Sequence, residues 1–261
     1  MRPDMETGGP KAIGGHGMSD PGHDTEEHDH DPVTIYGTNW ADEITAGGGP
    51  QTILALNGED IVHAGGGPDE IHGQNGKDQI FAQGGPDDAF GGNGDDYLHG
   101  GGGPDRLDGG NGDDILIGCM AADVLTGGRG SDTFVYRAAS EAPAHGEEDH
   151  TDAEAGHDGN GGPTGGAEHE EDGCGDDEGG GQETITDFKP GTDFIDLSAI
   201  GSVTGFSDVP AANSIWAVQQ GDDTMLFVDT NGTVEGDHPA EMGILLLGVE
   251  AEMLSIDDFI L

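Results

Sequence analysis

Apolar side chains recur every nine residues along the middle of the chain, from Gly37 to Val135, through eleven consecutive blocks without insertion or deletion. The eighth residue of each block is apolar: Ile44, Ile53, Val62, Ile71, Ile80, Ala89, Leu98, Leu107, Leu116, Leu125 and Phe134. Its two neighbours vary, which is typical of a short strand with one buried side. Closely spaced glycines in most blocks favour tight turns. The pattern therefore predicts an all-β coil of alternating turns and short strands.

A second period joins the blocks in pairs. The first five odd-numbered blocks carry Asn at their third position, and the residues are Asn39, Asn57, Asn75, Asn93 and Asn111. The first four even-numbered blocks instead contain Gly-Gly-Pro, ending in Pro50, Pro68, Pro86 and Pro104. The repeating unit therefore has eighteen residues. We infer that one turn of the coil takes two blocks, so that the Asn loops lie along one edge and the Pro loops along the other.

The sixth position of the blocks forms a column of acids. It is Asp in every block but the second, which has Gln51; the acids are Asp42, Asp60, Asp69, Asp78, Asp87, Asp96, Asp105, Asp114, Asp123 and Asp132. Turns of such a coil stack about 4.8 Å apart, and two carboxylates at about 5 Å repel by about 3 kcal/mol at an effective dielectric constant of about 20. The column therefore needs a cation, and carboxylate and carbonyl oxygens are the ligands that calcium prefers.

Blocks such as GGNGDDYLH (91–99) and GQNGKDQIF (73–81) resemble the GGxGxDxUx nonapeptide of the RTX, or haemolysin-type, calcium-binding repeat. The resemblance implies a parallel β-roll with several calcium ions between loops of the same edge. Main-chain carbonyls complete the ligand shells in that family. Carried over, one implied site joins Gly73, Asn75 and Asp78 to Gly92, Gly94 and Asp96. A second joins Gly91, Asn93 and Asp96 to Gly110, Gly112 and Asp114.

Two departures from the repeat are expected to weaken the array locally. Gln51 lacks the charge of the acid column, so we expect a weak site between the second and fourth blocks. The run from Gly118 to Asp123 has lost most of its loop glycines.

The segments on both sides of the array differ from it in composition. Residues 141–181 contain 14 Asp and Glu, no Lys, Arg or aromatic residue, and no Val, Leu, Ile or Met. Such a segment buries too little apolar area to offset its ordering entropy. We therefore predict a disordered acidic tail over residues 1–36 and a disordered acidic insert over residues 141–182. Histidines among these acids leave loose zinc binding open.

The remaining C-terminal region, residues 183–261, is predicted to cap the β-roll that spans residues 37–140. ETITDFKPGTDFIDLSAIG (183–201) resembles the segment after the β-roll of serralysin-type metalloproteases and related type I secreted proteins. The final residues, Asp257 to Leu261, are similar to the export signal of that family, which implies type I secretion machinery as a partner and an extracellular location. Two apolar runs within 213–232 predict a hairpin.

Other features exclude several functional classes. A net charge of −47 argues against binding to nucleic acid. The longest apolar run, Ile244 to Val249, is far shorter than the roughly 20 residues that span a bilayer. No HExxH motif is present, so we expect a calcium-binding protein that is not an enzyme. Two alternatives stay open: a secretion and folding module of a serralysin-like metalloprotease or another enzyme, and an adhesive surface protein. Pairing of Cys119 with Cys174 is also open.

Overall fold

The computed structural model of the protein describes residues 11–14, 32–137, 182–200, 203–207, 209–229 and 242–261. These residues form strands and two short 3-10 helices, Ala251–Met253 and Ile256–Asp258. The strands are β1 (Lys11–Gly14), β2 (Val33–Tyr36), β3 (Asp42–Thr45), β4 (Gln51–Leu54), β5 (Ile61–His63), β6 (Glu70–Asn75), β7 (Gln79–Gly84), β8 (Asp88–Asn93), β9 (Tyr97–Gly102), β10 (Arg106–Asn111), β11 (Ile115–Met120), β12 (Val124–Arg129), β13 (Thr133–Val135), β14 (Glu183–Ile185), β15 (Phe194–Asp196), β16 (Phe206–Ser207), β17 (Ile215–Gln220), β18 (Asp223–Val228), β19 (Met242–Leu246) and β20 (Phe259–Ile260).

Successive strands alternate between two sheets. One sheet has the order β1-β3-β5-β7-β9-β11-β13-β15-β20, and the other contains β2 to β14 in even numbers followed by β19, β18, β17 and β16. Neighbouring strands of the array run parallel at an offset of eighteen residues, with Leu98 beside Leu116 in one sheet and Leu107 beside Leu125 in the other. The prediction of a parallel β-roll is confirmed, and one turn of the roll takes two blocks.

The core of the roll is a narrow double column of aliphatic side chains between the sheets. Every eighth-position residue from Ile44 to Phe134 is buried, at 0 or 1% exposure. Three alanines at the first position of their blocks, Ala55, Ala64 and Ala82, lie in the same core. Each block thus contributes one or two apolar side chains to the core.

The roll extends beyond the eleven blocks at its N-terminal end. Strand β2 pairs with β4 through Ile35 and Ile53, and β1 pairs with β3. Both strands lie in the segment predicted to be a disordered tail. The alternation of Val33 and Ile35 with polar neighbours explains β2, because Ile35 is buried in the core.

The roll also resumes after the acidic insert. Strand β14 pairs with β12 through Ile185 and Leu125, and β15 pairs with β13 through Ile195 and Phe134. Residues 183–196 therefore form one further turn. The predicted insert lies outside the described residues apart from Gln182, as does most of the predicted tail.

The C-terminal strands close the end of the roll. The predicted hairpin forms from β17 and β18, which pair antiparallel across a turn at Gly221. Strand β19 joins this hairpin to β14, and β20 adds to β15. Within the described ranges, no helix is long and apolar enough to span a membrane.

Candidate metal-binding edges

The acid column lies along the two edges of the roll. We call the edge with the odd-numbered loops the Asn edge, which contains Asp42, Asp60, Asp78, Asp96, Asp114 and Asp132. The Pro edge contains Gln51, Asp69, Asp87, Asp105 and Asp123. All ten aspartates are buried, with at most 4% exposure. The sequence therefore places ten carboxylates inside the protein, where charge is costly without compensation.

One oxygen of each interior carboxylate joins two turns of the roll. The backbone N–H of Asp78 donates to Oδ1 of Asp96 at 2.8 Å, and that of Asp87 donates to Oδ1 of Asp105 at 2.9 Å. The same bond recurs at eighteen-residue spacing along both edges. Each acid therefore cross-links the turn before its own.

The second oxygen, Oδ2, has no such partner in the interior of the array. Nine of these atoms are buried without a hydrogen bond: Oδ2 of Asp60, Asp69, Asp78, Asp87, Asp96, Asp105, Asp114, Asp123 and Asp132. Buried carboxylate oxygens are normally paired. The nine atoms therefore indicate that a group of opposite charge belongs at these positions.

The two ends of the Asn edge supply an internal comparison. Oδ2 of Asp42 accepts a hydrogen bond from the backbone N–H of Thr38 at 2.5 Å. Oδ2 of Asp193, in the turn after the insert, accepts one from the backbone N–H of Lys189 at 2.8 Å. The Lys189 ammonium also donates to the carbonyl of Gly128. At the ends the chain satisfies its own carboxylates, whereas in the interior it does not.

At Gly73 and Gly91, each the first residue of its block, an unpaired carboxylate oxygen and a main-chain carbonyl both border the place that a Cβ atom would occupy. A Cβ atom built on Gly73 would lie 2.5 Å from Oδ2 of Asp78 and 2.7 Å from the carbonyl oxygen of Gly91. A Cβ atom on Gly91 would meet Asp96 and Gly109 at the same two distances. Glycine at the first position therefore leaves a small space bordered by a carboxylate and a carbonyl.

The donor set of this space fits calcium. Carboxylates and main-chain carbonyls are hard oxygen ligands, and calcium accepts six to eight of them in flexible geometry. Among the described residues, no group of three or more His, Cys, Asp and Glu side chains gathers at one point. Any ion in these spaces must therefore take part of its ligand shell from the backbone, as the carbonyls of Gly91 and Gly109 allow.

Burial makes the carboxylates of both edges reluctant to ionise. Desolvation is the main cause, and it raises the pKa of Asp87 and Asp96 to about 6, that of Asp114 and Asp123 to about 7 and that of Asp105 to about 8. The aspartates of adjacent turns add electrostatic repulsion. Asp123 and Asp87 both raise the pKa of Asp105 further. At neutral pH these groups favour a bound cation or a proton.

The resemblance also implied backbone ligands from Asn75 and Asn93. Their side chains form a separate ladder, in which the amide of Asn93 donates to Oδ1 of Asn75 at 2.9 Å, and Asn39, Asn57 and Asn111 continue it. The carbonyl of Asn93 already accepts a hydrogen bond from the N–H of Gly76. A carbonyl has two lone pairs, so one remains for a metal.

The four predicted loop glycines have left-handed backbone angles. The φ angles are 113° for Gly92, 133° for Gly94, 105° for Gly110 and 139° for Gly112. Side chains are strained in this region, which explains the glycines. Each of the four lies closely stacked on the backbone of the preceding turn. Their place in the roll is thus set by the close approach of two loops.

The backbone follows the same loop course at both departures from the repeat, Gln51 and the run from Gly118 to Asp123. Gln51 is buried with Oε1 unpaired. In the glycine-poor run, Cys119 and Ala121 adopt φ angles of 84° and 85°, so non-glycine residues carry the strain there. Cys119 is disulfide-bonded, and Cys174 lies outside the described residues.

Sequence reasoning missed two members of the acid column. Glu183 and Asp193 occupy the sixth position of the turn after the insert, because Asp123 N–H donates to Glu183 Oε1 at 3.3 Å and Asp132 N–H to Asp193 Oδ1 at 3.2 Å. The signal was present. Each acid is followed two residues later by Ile185 or Ile195, as in the repeat.

A family model described as the RTX calcium-binding nonapeptide repeat matches residues 54–89, 90–118 and 121–136. The matched residues consist of RTX calcium-binding repeats. These matched residues carry nine of the ten aspartates of the acid column, so the matched repeats bind several calcium ions. The RTX assignment covers the repeats, and the regions on either side of them are not part of the match.

Solved structures resemble the chain at low sequence identity. The AlgE6R3 subunit of a mannuronan C5-epimerase from Azotobacter vinelandii is 26% identical, with a TM-score of 0.42 over 71% of this chain and 80% of that one. The AlgE6R2 subunit is 20% identical, with a TM-score of 0.37 over 88% and 92%. The extracellular lipase LipA from Serratia marcescens is 16% identical, with a TM-score of 0.35 over 96% and 42%. No curated protein matches the chain.

Proposed function

We propose that calcium binds between successive turns along both edges of the roll and that this binding drives folding. The observation that carries the proposal is the set of nine buried Oδ2 atoms without a hydrogen-bond partner. An unpaired buried charge opposes folding. A bound dication supplies the missing positive charge and links the two turns that contribute its ligands.

The residue assignments follow from which oxygens border each space. On the Asn edge we assign Asp78 with the carbonyl of Gly91 to one interior site, and Asp96 with Gly109 to the next. On the Pro edge, a Cβ atom on Gly100 would lie 2.8 Å from the carbonyl oxygen of Gly118 and close to Oδ2 of Asp105. The remaining proposed ligands are Asp60, Asp69, Asp87, Asp114, Asp123 and Asp132, with main-chain oxygens of Gly73, Asn75, Gly92, Asn93, Gly94, Gly110 and Gly112.

Folding without calcium is opposed from two sides. The roll buries only one or two apolar side chains per nine residues, and ordering each residue costs conformational entropy. At neutral pH the buried carboxylates add desolvation and mutual repulsion. Calcium sites of the extracellular type, with dissociation constants of about 10⁻⁴ to 10⁻³ M, would therefore leave the chain unfolded in the cytosol and fold it outside the cell.

We further propose export through type I secretion machinery. The support is the resemblance of the C-terminal residues to a type I signal. In the folded chain, Phe259 is buried and β20 pairs with β15. A receptor that recognises this segment would therefore need to bind it before folding, which low cytosolic calcium permits.

Circular dichroism with and without calcium tests the folding proposal. We expect a β-rich spectrum in millimolar calcium and an unfolded spectrum in excess chelator. An unchanged β-rich spectrum in chelator at neutral pH would contradict calcium-driven folding. Secretion of the full chain and of a chain lacking Asp257 to Leu261, measured in the medium, tests the export proposal.

The proposed role is structural and requires no catalytic step. Casein zymography of the purified chain with zinc and calcium tests this point, since a cleared zone would support the protease-module alternative. The same calcium-loaded preparation serves as the folded control.

A further inference from the structure

The acidic insert interrupts a loop of the Pro edge. Tyr136 directly follows β13 and lies eighteen residues after Gly118, so it takes the first position of that loop. Glu183 takes the sixth position, because the N–H of Thr184 donates to the carbonyl of Asp123 at 2.9 Å, as the corresponding groups do in the earlier turns. Asp123 and Glu183 are 60 residues apart instead of eighteen. The two halves of one loop thus come from opposite sides of the insert.

Three buried oxygens of this interrupted loop and of the loop before it lack a hydrogen-bond partner. They are Oδ2 of Asp123, Oε2 of Glu183 and the hydroxyl of Tyr136. The exposures of these residues are 1, 7 and 8%. The backbone N–H of Asp123 donates to Glu183 Oε1, and Tyr136 takes the first position of the same loop as Glu183. Burial, and after it the carboxylates of Glu183 and Asp123, raise the pKa of the Tyr136 hydroxyl.

Other loops of the Pro edge do not share this arrangement. Their first position is Ala or Gly, which offers no side-chain oxygen, and their sixth position is Asp or Gln. Here the longer Glu side chain and a phenolic hydroxyl take these positions. Glu183 keeps the cross-link to the preceding turn through Oε1, which leaves Oε2 free to bind another group.

We propose that Asp123 shares its divalent cation with Glu183 and Tyr136, in a site whose last two ligands lie outside the nonapeptide pattern and which joins the two chain ends of the acidic insert. Its two carboxylates and one hydroxyl are hard oxygen ligands, which suit calcium. The inference rests on the proposed calcium binding of the roll. It adds that the ion at this loop holds residues 136 and 183 together although 46 residues separate them in the sequence.

Calcium stoichiometry of the full chain gives the first test. Equilibrium dialysis with calcium should show one ion fewer for Glu183→Gln than for the natural sequence, because the amide keeps the hydrogen bond to Asp123 but loses the charge. Glu183→Asp should retain part of the binding. Glu70→Gln is the matched control, since Glu70 is exposed on the same sheet. This substitution removes the same charge and should leave the calcium stoichiometry unchanged.

Trypsin cleavage after Arg137 gives a local readout that does not depend on counting ions. Arg137 follows Tyr136 directly, and the chain has only seven Lys and Arg residues, so this cleavage gives a distinct fragment. With calcium about tenfold above the dissociation constant of the site, loss of the ion should speed this cleavage about tenfold. Tyr136→Phe should also speed cleavage after Arg137, while the rates of cleavage after Lys77 and Arg106 stay unchanged.

The outcomes separate this inference from the proposed function. If the natural chain binds no calcium, the proposed function fails. If it binds calcium and folds but Glu183→Gln binds the same number of ions and is cleaved after Arg137 at the natural rate, only the further site is refuted. If Glu183→Gln fails to fold in calcium, Tyr136→Phe decides, because a natural calcium count and cleavage rate in that variant would also refute the site.

Discussion

The substitution Asp87→Asn separates a calcium ligand from an ordinary buried polar residue. Oδ1 of Asp87 accepts the backbone N–H of Asp69 at 2.8 Å, a bond that the Asn carbonyl can keep. Oδ2 of Asp87 is buried and unpaired. The substitution therefore removes the charge at the orphaned oxygen and leaves the cross-link between turns intact.

The expected effect changes sign with calcium. With about 10 mM calcium, losing a site whose dissociation constant is about 10⁻⁴ to 10⁻³ M lowers the free energy of unfolding by about 1.4–2.7 kcal/mol. Without calcium, the variant loses a buried charge whose pKa is raised to about 6 by desolvation. That shift is equivalent to about 3 kcal/mol at most, and solvent screening at the edge reduces it to about 1 kcal/mol. The calcium-free roll should be more stable by this amount.

Urea unfolding followed by circular dichroism measures both effects. The calcium-free series includes trimethylamine N-oxide, which favours the compact state and keeps the roll populated. Asp88→Asn is the matched control, since Asp88 is exposed next to Asp87 and should shift stability by less than about 0.5 kcal/mol in both series. If Asp87→Asn destabilises the roll equally with and without calcium, the carboxylate is not a metal ligand and the argument from orphaned oxygens is refuted.

Three further predictions concern the loops, the pH dependence and the cap. Gly94→Ala, at a φ angle of 133°, would drive a Cβ atom into the carbonyl oxygen of Gly76 in the preceding turn, so calcium-bound stability should fall by about 1–3 kcal/mol; Gly48→Ala, with open space at its Cβ, should be nearly neutral, and equal urea midpoints for the two would contradict the steric argument. The pKa of Asp105 is raised to about 8 and that of Asp114 to about 7, above the unfolded value of 3.8, so the calcium-free roll binds more protons than the unfolded chain. Its stability is therefore greatest below about pH 4 and is lost as the pH rises through about 6 to 8. Calcium binding at pH 6 should release protons, so the heat of binding measured by calorimetry should differ between two buffers of different ionisation enthalpy. Identical binding heats in the two buffers would argue against proton release. Phe259→Ala removes a buried ring stacked 5.5 Å from Phe206 and should cost about 3 kcal/mol, whereas Met253→Ala, 65% exposed, should cost less than about 0.5 kcal/mol by the same urea assay.

The strand pattern and the pairing of turns could be predicted from the sequence because they follow from strict periods. The apolar residue at the eighth position of each nine-residue block determines which side of each strand is buried. The alternation of Asn and Pro loops fixes the eighteen-residue offset, which the pairing of Leu98 with Leu116 then displays. Periods of this kind can be recognised in the amino-acid sequence without a three-dimensional structure.

Features outside the strict period were harder to predict. The turn formed by Glu183 and Asp193 was missed because the insert breaks the register, although Ile185 and Ile195 keep their spacing to the acids. The lack of a hydrogen-bond partner at Oδ2 also could not be predicted from the sequence. It depends on whether a backbone N–H happens to reach the oxygen, as that of Thr38 does for Asp42 and none does for Asp96.

The offset of eighteen residues makes the length of the roll adjustable in fixed steps. Removal of residues 73–90 would take one strand from each sheet and bring the Asn57 and Asn93 amides into register, so the shortened roll keeps both edges and loses about 4.8 Å of length. Removal of only nine residues would move every later strand to the opposite sheet and interrupt the Asn ladder. In evolution such an array can therefore grow or shrink by segments of eighteen codons, and a nine-codon change is expected to be eliminated.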